Sequence, residues 1–209
     1  MKKLAIKLAG VALLALSSMG SALAQSEPIV FVHGYSGSNS NWNTMISRFR
    51  ASGYQGRMYG FEYASLIASN STSGSQLRTF VNNVRSANGN QAVSIIAHSN
   101  GGLVSRYYRV NAGGTSAMRR FVTLGSPHSG TTSAYACFSP ACFDMRPYSY
   151  FLIQLAGRGC DRSLWSSLDG VILPATSARC GTSTQVASVS HLALLTDSSV
   201  YNAVRTALR

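Results

Sequence analysis

One hexapeptide constrains this chain more than any other feature. Ala97-His98-Ser99-Asn100-Gly101-Gly102 follows a buried-looking apolar run, Ala92 to Ala97, and opens a stretch of helical character, Gly101 to Val110. A backbone that passes from strand to helix in so few residues must turn sharply, and the positions two before and two after the serine must be small for the turn to close. Ala97 and Gly101 meet that demand, with alanine standing where glycine is commoner. Such a turn lifts the hydroxyl above the sheet and aims the first amides of the helix at the atom it attacks. Ser99 is therefore the candidate nucleophile, supported by Ala97, His98, Gly101 and Gly102.

The same alternation runs along the rest of the chain. Pro28 to Val32 reads as a strand ending in His33-Gly34, and Asn41 to Arg50 sets Trp42, Met45, Ile46 and Phe49 at helical spacing. Arg57 to Tyr63 alternates weakly as a strand, and Gln76 to Val84 has one apolar helical face. Phe121 to Leu124 and Ser183 to Val189 read as strands and Val200 to Leu208 as a final helix. Strands alternating with helices build βαβ units, hence a mainly parallel central sheet with helices on both faces, an α/β fold. Ser126 to Gly159 breaks the alternation. It is rich in Ser, Pro, Tyr and Phe and reads as an insertion beside the site, with a helix near Tyr148 to Leu155, able to serve as a small flap.

A serine hydroxyl needs a base, and the chain has four histidines. In a strand-turn-helix hydrolase the acid and then the histidine follow the serine. His128 and His191 both follow Ser99, but only His191 leaves room for a well-placed acid between. His33, His98 and His128 are assigned to support. Of six acids, Glu27 and Glu62 precede Ser99 and Asp197 follows His191, which leaves Asp144, Asp161 and Asp169. Asp169 follows a short strand through Leu164 and Trp165 and so sits where catalytic groups collect, beyond a strand's carboxyl end. The oxyanion donors expected are the amide of Asn100 and that of Tyr35, in the turn His33-Gly34-Tyr35-Ser36-Gly37.

The start of the chain reads as a secretion leader: a basic Met1-Lys2-Lys3, an apolar run from Leu4 to Leu16, and a small-x-small site at Ala22-Leu23-Ala24. Cleavage after Ala24 defines a signal peptide over 1–24 and a single domain over 25–209, with no membrane-spanning segment in the mature chain. The expected destination is outside the cytoplasm, in the periplasm or the medium. An even cysteine count agrees with that compartment. Sequence proximity favours Cys137–Cys142 and Cys160–Cys180 among three possible connectivities, with Cys160–Cys180 spanning the loop of Asp169. Past residue 24 there are fifteen arginines and no lysine against six acids, a net charge of about +9. Those arginines are scattered, which suits a solvated surface, and no nucleic-acid-binding motif accompanies them. No Cys-x-x-Cys or comparable ligand spacing points to a metal, and no cofactor is expected.

Five segments together resemble the small secreted bacterial lipases, the class 2 or minimal lipases of the α/β-hydrolase fold. They are Phe31-Val32-His33-Gly34-Tyr35, the hexapeptide around Ser99, Thr123-Leu124-Gly125-Ser126-Pro127-His128-Ser129-Gly130-Thr131, Leu168-Asp169-Gly170 and Ser190-His191-Leu192-Ala193-Leu194-Leu195. They occur in the family's order. The resemblance implies Ser99, Asp169 and His191 as a triad, Tyr35 and Asn100 as oxyanion amides, and cofactor-free hydrolysis of glycerides or simple esters. The expected partner is a lipid or ester substrate, with a lipid–water interface as one setting, and the expected state is a monomer, which no residue pattern fixes. Asn100 departs from the methionine or glutamine common at that place, the chain is too short for a large lid domain, and six acids are few for a calcium cage. A phospholipase, a polyester hydrolase, an acyltransferase or a catalytically silent binding protein would share these motifs.

Overall fold

The computed structural model describes residues 27–209, so the leader expected over 1–24 lies outside the described residues. Six strands form one sheet: β1 (Ile29–Val32), β2 (Met58–Phe61), β3 (Val93–His98), β4 (Met118–Leu124), β5 (Arg162–Trp165) and β6 (Thr182–Gln185). Their order is β2-β1-β3-β4-β5-β6, and every neighbouring pair is parallel. The fold is the helix-covered α/β arrangement that the alternation of elements predicts, with no antiparallel strand among the described residues.

Six α-helices connect or follow the strands: α1 (Asn43–Ala51), α2 (Asn70–Ser86), α3 (Asn100–Asn111), α4 (Pro140–Met145), α5 (Tyr150–Leu155) and α6 (Ser198–Ala207). Both sheet faces are buried, so successive strand residues serve opposite cores. Val30 and Val32 of β1 and Ile95 of β3 pack with Leu77, Val81 and Val84 of α2 and with Val104 and Tyr108 of α3. Ile29, Phe31 and Ile96 face the other way, onto Trp42, Met45 and Phe49 near α1 and Val200, Tyr201 and Val204 of α6. Each such side chain withdrawn from water contributes about 1.5–3 kcal/mol before conformational entropy is set against it.

Several elements depart from the sequence expectation. Helix α2 begins at Asn70 rather than Gln76, because the polar run Asn70-Ser-Thr-Ser-Gly-Ser has no apolar period to mark it. It is started instead by the Ser69 hydroxyl accepting from the Thr72 amide at 3.1 Å. Strand β6 stops at Gln185, short of Val189. The irregular stretch from Ser126 to Gly159 holds α4 as well as α5. It is the crossover from β4 to β5, and it closes a third core of Leu103, Ala134, Cys142, Met145, Phe151, Leu152 and Leu155.

Disulfides join Cys137 to Cys142 and Cys160 to Cys180, with Cα separations of 5.8 and 5.5 Å. The second bridge links the chain just before β5 to the chain just before β6. It closes the base of the connection carrying Asp169 instead of bracing Asp169 itself, because both cysteines lie at the amino ends of their strands. No helix among the described residues is long and apolar enough to cross a membrane.

Candidate active site

The strand order creates the site. After β1 the chain moves outward to β2, and it returns to place β3 on the other side of β1. The connections leaving β1 and β3 therefore diverge at the carboxyl edge, where sheets of this kind place their ligand sites. The loop of Tyr35 and Ser99 both stand at that edge.

Ser99 occupies φ 54°, ψ −130°, a conformation an L side chain rarely adopts. It persists because its surroundings fix it. The Ser99 amide donates to the Leu124 carbonyl at 2.9 Å, and α3 begins at the next residue. The small neighbours are compulsory. A Cβ on Gly101 would come within 2.3 Å of the His33 carbonyl oxygen and 2.5 Å of that of Val32, both backbone atoms unable to swing aside. Gly101→Ala is expected to destabilise the fold by about 1–3 kcal/mol through overpacking, lowering the thermal midpoint measured by circular dichroism. A wild-type midpoint would contradict this close approach.

Asp169 and His191 meet at the same sheet edge. His191 Nδ1 donates to Asp169 Oδ2 at 2.8 Å, and the His191 amide donates to the Asp169 carbonyl at 2.9 Å. Oδ1 of Asp169 accepts from the amides of Ile172 at 2.7 Å and Val171 at 3.0 Å. Burial opposes the Asp169 charge and is the largest single influence, but His191 and the two amides together outweigh it and hold the carboxyl below its ordinary range. Ser99 and His191 are each 6 % exposed and Asp169 is 3 % exposed. With Nδ1 committed to Asp169, Nε2 is the nitrogen available to a hydroxyl. Among the described residues no hydrogen bond yet joins Ser99 to His191, and contacts of this kind often tighten only with substrate.

The remaining candidates fall into place around these three. The Asn100 amide is the first of α3 and so has no carbonyl below it, and the Tyr35 amide has no partner among the described backbone bonds. Gly34 is needed because a Cβ there would lie 2.9 Å from Ser99 Cβ. His128 points away, with Nε2 3.0 Å from the Thr123 hydroxyl, and burial, aided by Arg106, pushes it down to about 3. Asp144 accepts from the Asn70 amide and Asp161 from that of Phe121, so neither is bonded to His191.

Two residues matter that sequence reasoning passed over. Glu62 was set aside for preceding Ser99, yet its carboxylate lies 3.1 Å from His33 Nε2 and also accepts from the Asn39 amide at 2.9 Å. The Tyr63 hydroxyl donates to the His33 carbonyl at 2.9 Å and accepts from the Asn100 side-chain amide at 3.4 Å. Its ring stacks on His33 with centroids 4.4 Å apart. The Tyr63 hydroxyl thereby ties the backbone ahead of Tyr35 to the start of α3. Only the parallel pairing of β1 with β2, which sets Val32 beside Phe61, could have revealed them.

The model of one protein family, described as class 2 lipase, matches residues 26–206. The chain belongs to the class 2 lipase family. Two curated relatives are both named triacylglycerol lipase. That of Burkholderia plantarii is 32% identical over 142 residues, which is 61% of this chain and 38% of the relative. That of Pseudarthrobacter phenanthrenivorans is 33% identical over 116 residues, which is 51% of this chain and 35% of the relative. This class 2 lipase chain thus spans little more than a third of the length of those relatives. Among solved structures, the mature form of the Bacillus licheniformis lipase BlEst2 is similar in fold, with a TM-score of 0.74 at 18% identity, covering 88% of this chain and 93% of that one.

Proposed function

We propose that this chain is a secreted serine hydrolase that cleaves carboxylic esters of lipids, with Ser99 as nucleophile, His191 as base and Asp169 as its partner. The observation that carries the reading is the buried Asp169–His191 contact beside a strained serine at the carboxyl edge of a parallel sheet. Asp169 holds the proton on Nδ1, so that Nε2 can accept the Ser99 proton as Ser99 attacks the ester carbonyl. The amides of Tyr35 and Asn100 receive the oxyanion. His191 then returns the proton to the departing alcohol, and water repeats the sequence on the acyl-enzyme. Secretion is supported by the leader pattern and by two disulfides.

A distinct observation favours lipid esters over small soluble ones. Exposed large hydrophobic side chains lie next to residues of the site and of the loop of Tyr35. Leu168 precedes Asp169, Val171 and Leu173 follow it, and Leu192 follows His191; Leu66 and Ile67 follow Ser65, whose hydroxyl accepts from the Ser36 amide at 2.9 Å, and Phe138 precedes Ser139, whose hydroxyl donates to that of Tyr35 at 3.1 Å. These segments are stitched together. Asp144 accepts from the Asn70 amide at 2.7 Å, and the Ser133 hydroxyl donates to the Val171 carbonyl at 2.7 Å. Within the rim, Phe138 is 77 % exposed, and the Arg146 guanidinium lies 4.3 Å from the Phe143 ring and 5.0 Å from that of Tyr135. An apolar surface gathered around a reactive edge suits a lipid phase.

Hydrolysis of p-nitrophenyl esters of rising acyl length, followed by emulsified triglyceride, tests the reading. Turnover is expected to persist to long acyl chains and to rise as substrate passes its solubility limit. Activity confined to short, soluble acyl groups would reject the lipid substrate while keeping the hydrolase.

A further inference from the structure

His98 occupies an unusual position between the groups assigned to the chemistry. It ends β3, immediately before Ser99, yet its side chain turns toward His191. The two imidazole rings lie 4.4 Å apart between centroids, inclined by 43°. Nε2 of His98 is 3.0 Å from the backbone carbonyl oxygen of His191. A carbonyl can only accept, so Nε2 carries the proton and Nδ1 does not. The Nδ1 edge faces the loop of Tyr35, where a Cβ on Gly34 would come within 3.1 Å of it. One buried ring therefore touches the backbone of His191, the face of its imidazole and the loop after β1.

We propose that His98 is a positioning residue for His191, holding its backbone and ring so that Nδ1 meets Asp169 while Nε2 stays turned toward Ser99. The inference rests on His191 being the base. It assigns to His98 a task distinct from packing the turn around Ser99.

The electrostatic surroundings agree with that task. Burial first, and then the charge His191 acquires, push His98 down to about 3; its bond to the His191 carbonyl and the nearby Asp169 act in the opposite direction, and His33 adds to the lowering. The titratable groups acting on it are His191 after β6, Asp169 after β5 and His33 after β1. A neutral ring is what the position requires. A second cation beside His191 would oppose the positive charge that His191 must take up in each cycle.

The test compares His98→Phe, which keeps a ring but loses the donor, with His98→Gln, which restores an N–H near the place of Nε2. In His98→Phe, kcat for a soluble p-nitrophenyl ester should fall about tenfold, the worth of one lost buried hydrogen bond, with KM within about twofold of wild type. The acid limb of its kcat/KM profile should move to lower pH, because a loosened Asp169 contact stabilises the His191 imidazolium less. His98→Gln should recover most of kcat and the wild-type acid limb. Thermal midpoints taken alongside separate rate loss from unfolding. The proposal is overturned if His98→Phe keeps the wild-type kcat and acid limb. It is equally overturned if both variants lose activity in step with their midpoints while the acid limb stays in place. Ser99→Ala, assayed in parallel, tests the underlying reading separately. Full activity there would remove the hydrolase mechanism, whereas an inactive Ser99→Ala beside a wild-type-like His98→Phe would remove the positioning role alone.

Discussion

Ser99→Ala is expected to lower kcat for a soluble p-nitrophenyl ester by roughly four to six orders of magnitude, with the fold and its thermal midpoint retained. The expected loss is large because, in the proposed mechanism, the two-step route disappears with the hydroxyl. Water must then attack unaided by a covalent intermediate, and only the Tyr35 and Asn100 amides still favour the oxyanion. The midpoint should hold or rise slightly, since φ 54°, ψ −130° is imposed by the turn and the hydroxyl contributes nothing to closing it. Labelling with a fluorophosphonate probe should vanish in step with the rate. A variant that still turns over or still labels would transfer the nucleophile to another side chain.

The second large effect concerns Asp169. Asp169→Asn keeps the shape of the residue but replaces the acceptor at Oδ2 with an amide that can present N–H to Nδ1. Under the proposed mechanism the His191 tautomer then reverses, Nε2 becomes protonated and the base is lost, and kcat is expected to fall by about four orders of magnitude. A stability signature accompanies it. The Asp169 carboxyl is held below its ordinary value in the folded chain, where burial is outweighed by His191 and the Ile172 and Val171 amides. A depressed carboxyl contributes stability that is complete above the unfolded value and is lost as pH falls through the folded one. The stability gap between wild type and Asp169→Asn should therefore be wide near neutral pH and narrow below the ordinary Asp value of 3.8. Urea unfolding at neutral pH and near pH 3 reads this directly. A gap that is constant, or that widens in acid, would show that the carboxylate charge is not what His191 and the two amides stabilise.

The elements most legible in the sequence were those with a short internal signature. Strand β3 announces itself by an apolar run broken only by Ser94, and α1 by Trp42, Met45 and Phe49 on one face. Helix α4 gave no such sign. Its buried face is only Ala141, Cys142 and Met145, against Phe151, Leu152 and Leu155 in the equally short α5, and its start depends on the Ser139 hydroxyl accepting from the Cys142 amide at 3.4 Å. Strand β4 extends back to Met118 through Arg119 and Arg120, whose polarity hid it, and the pairing of Met118 and Arg120 with β3 supplies what the pattern lacked.

The candidate site divides in the same way. The small residues around Ser99 could be named from the sequence because the turn that needs them is local: Gly101 is two positions away and fails sterically against backbone. His191 could be named from its order along the chain, and Asp169 could be preferred over Asp144 and Asp161 for its place after the strand through Leu164 and Trp165. Which carboxylate lies on His191 Nδ1 is a matter of where β5 and β6 end, and Asp144 and Asp161 are spent on distant backbone amides. The Glu62–His33 contact and the Tyr63 bridge arise because β2 pairs with β1, and the seating of His98 on His191 spans 93 residues. Steric need and periodicity act over a few residues, so the sequence by itself determined the turn, the alternation of strands and helices, and the chemical types available. Contacts between remote segments depend on strand order and register, which follow from how the whole chain buries its two sheet faces, and only the tertiary structure decided them.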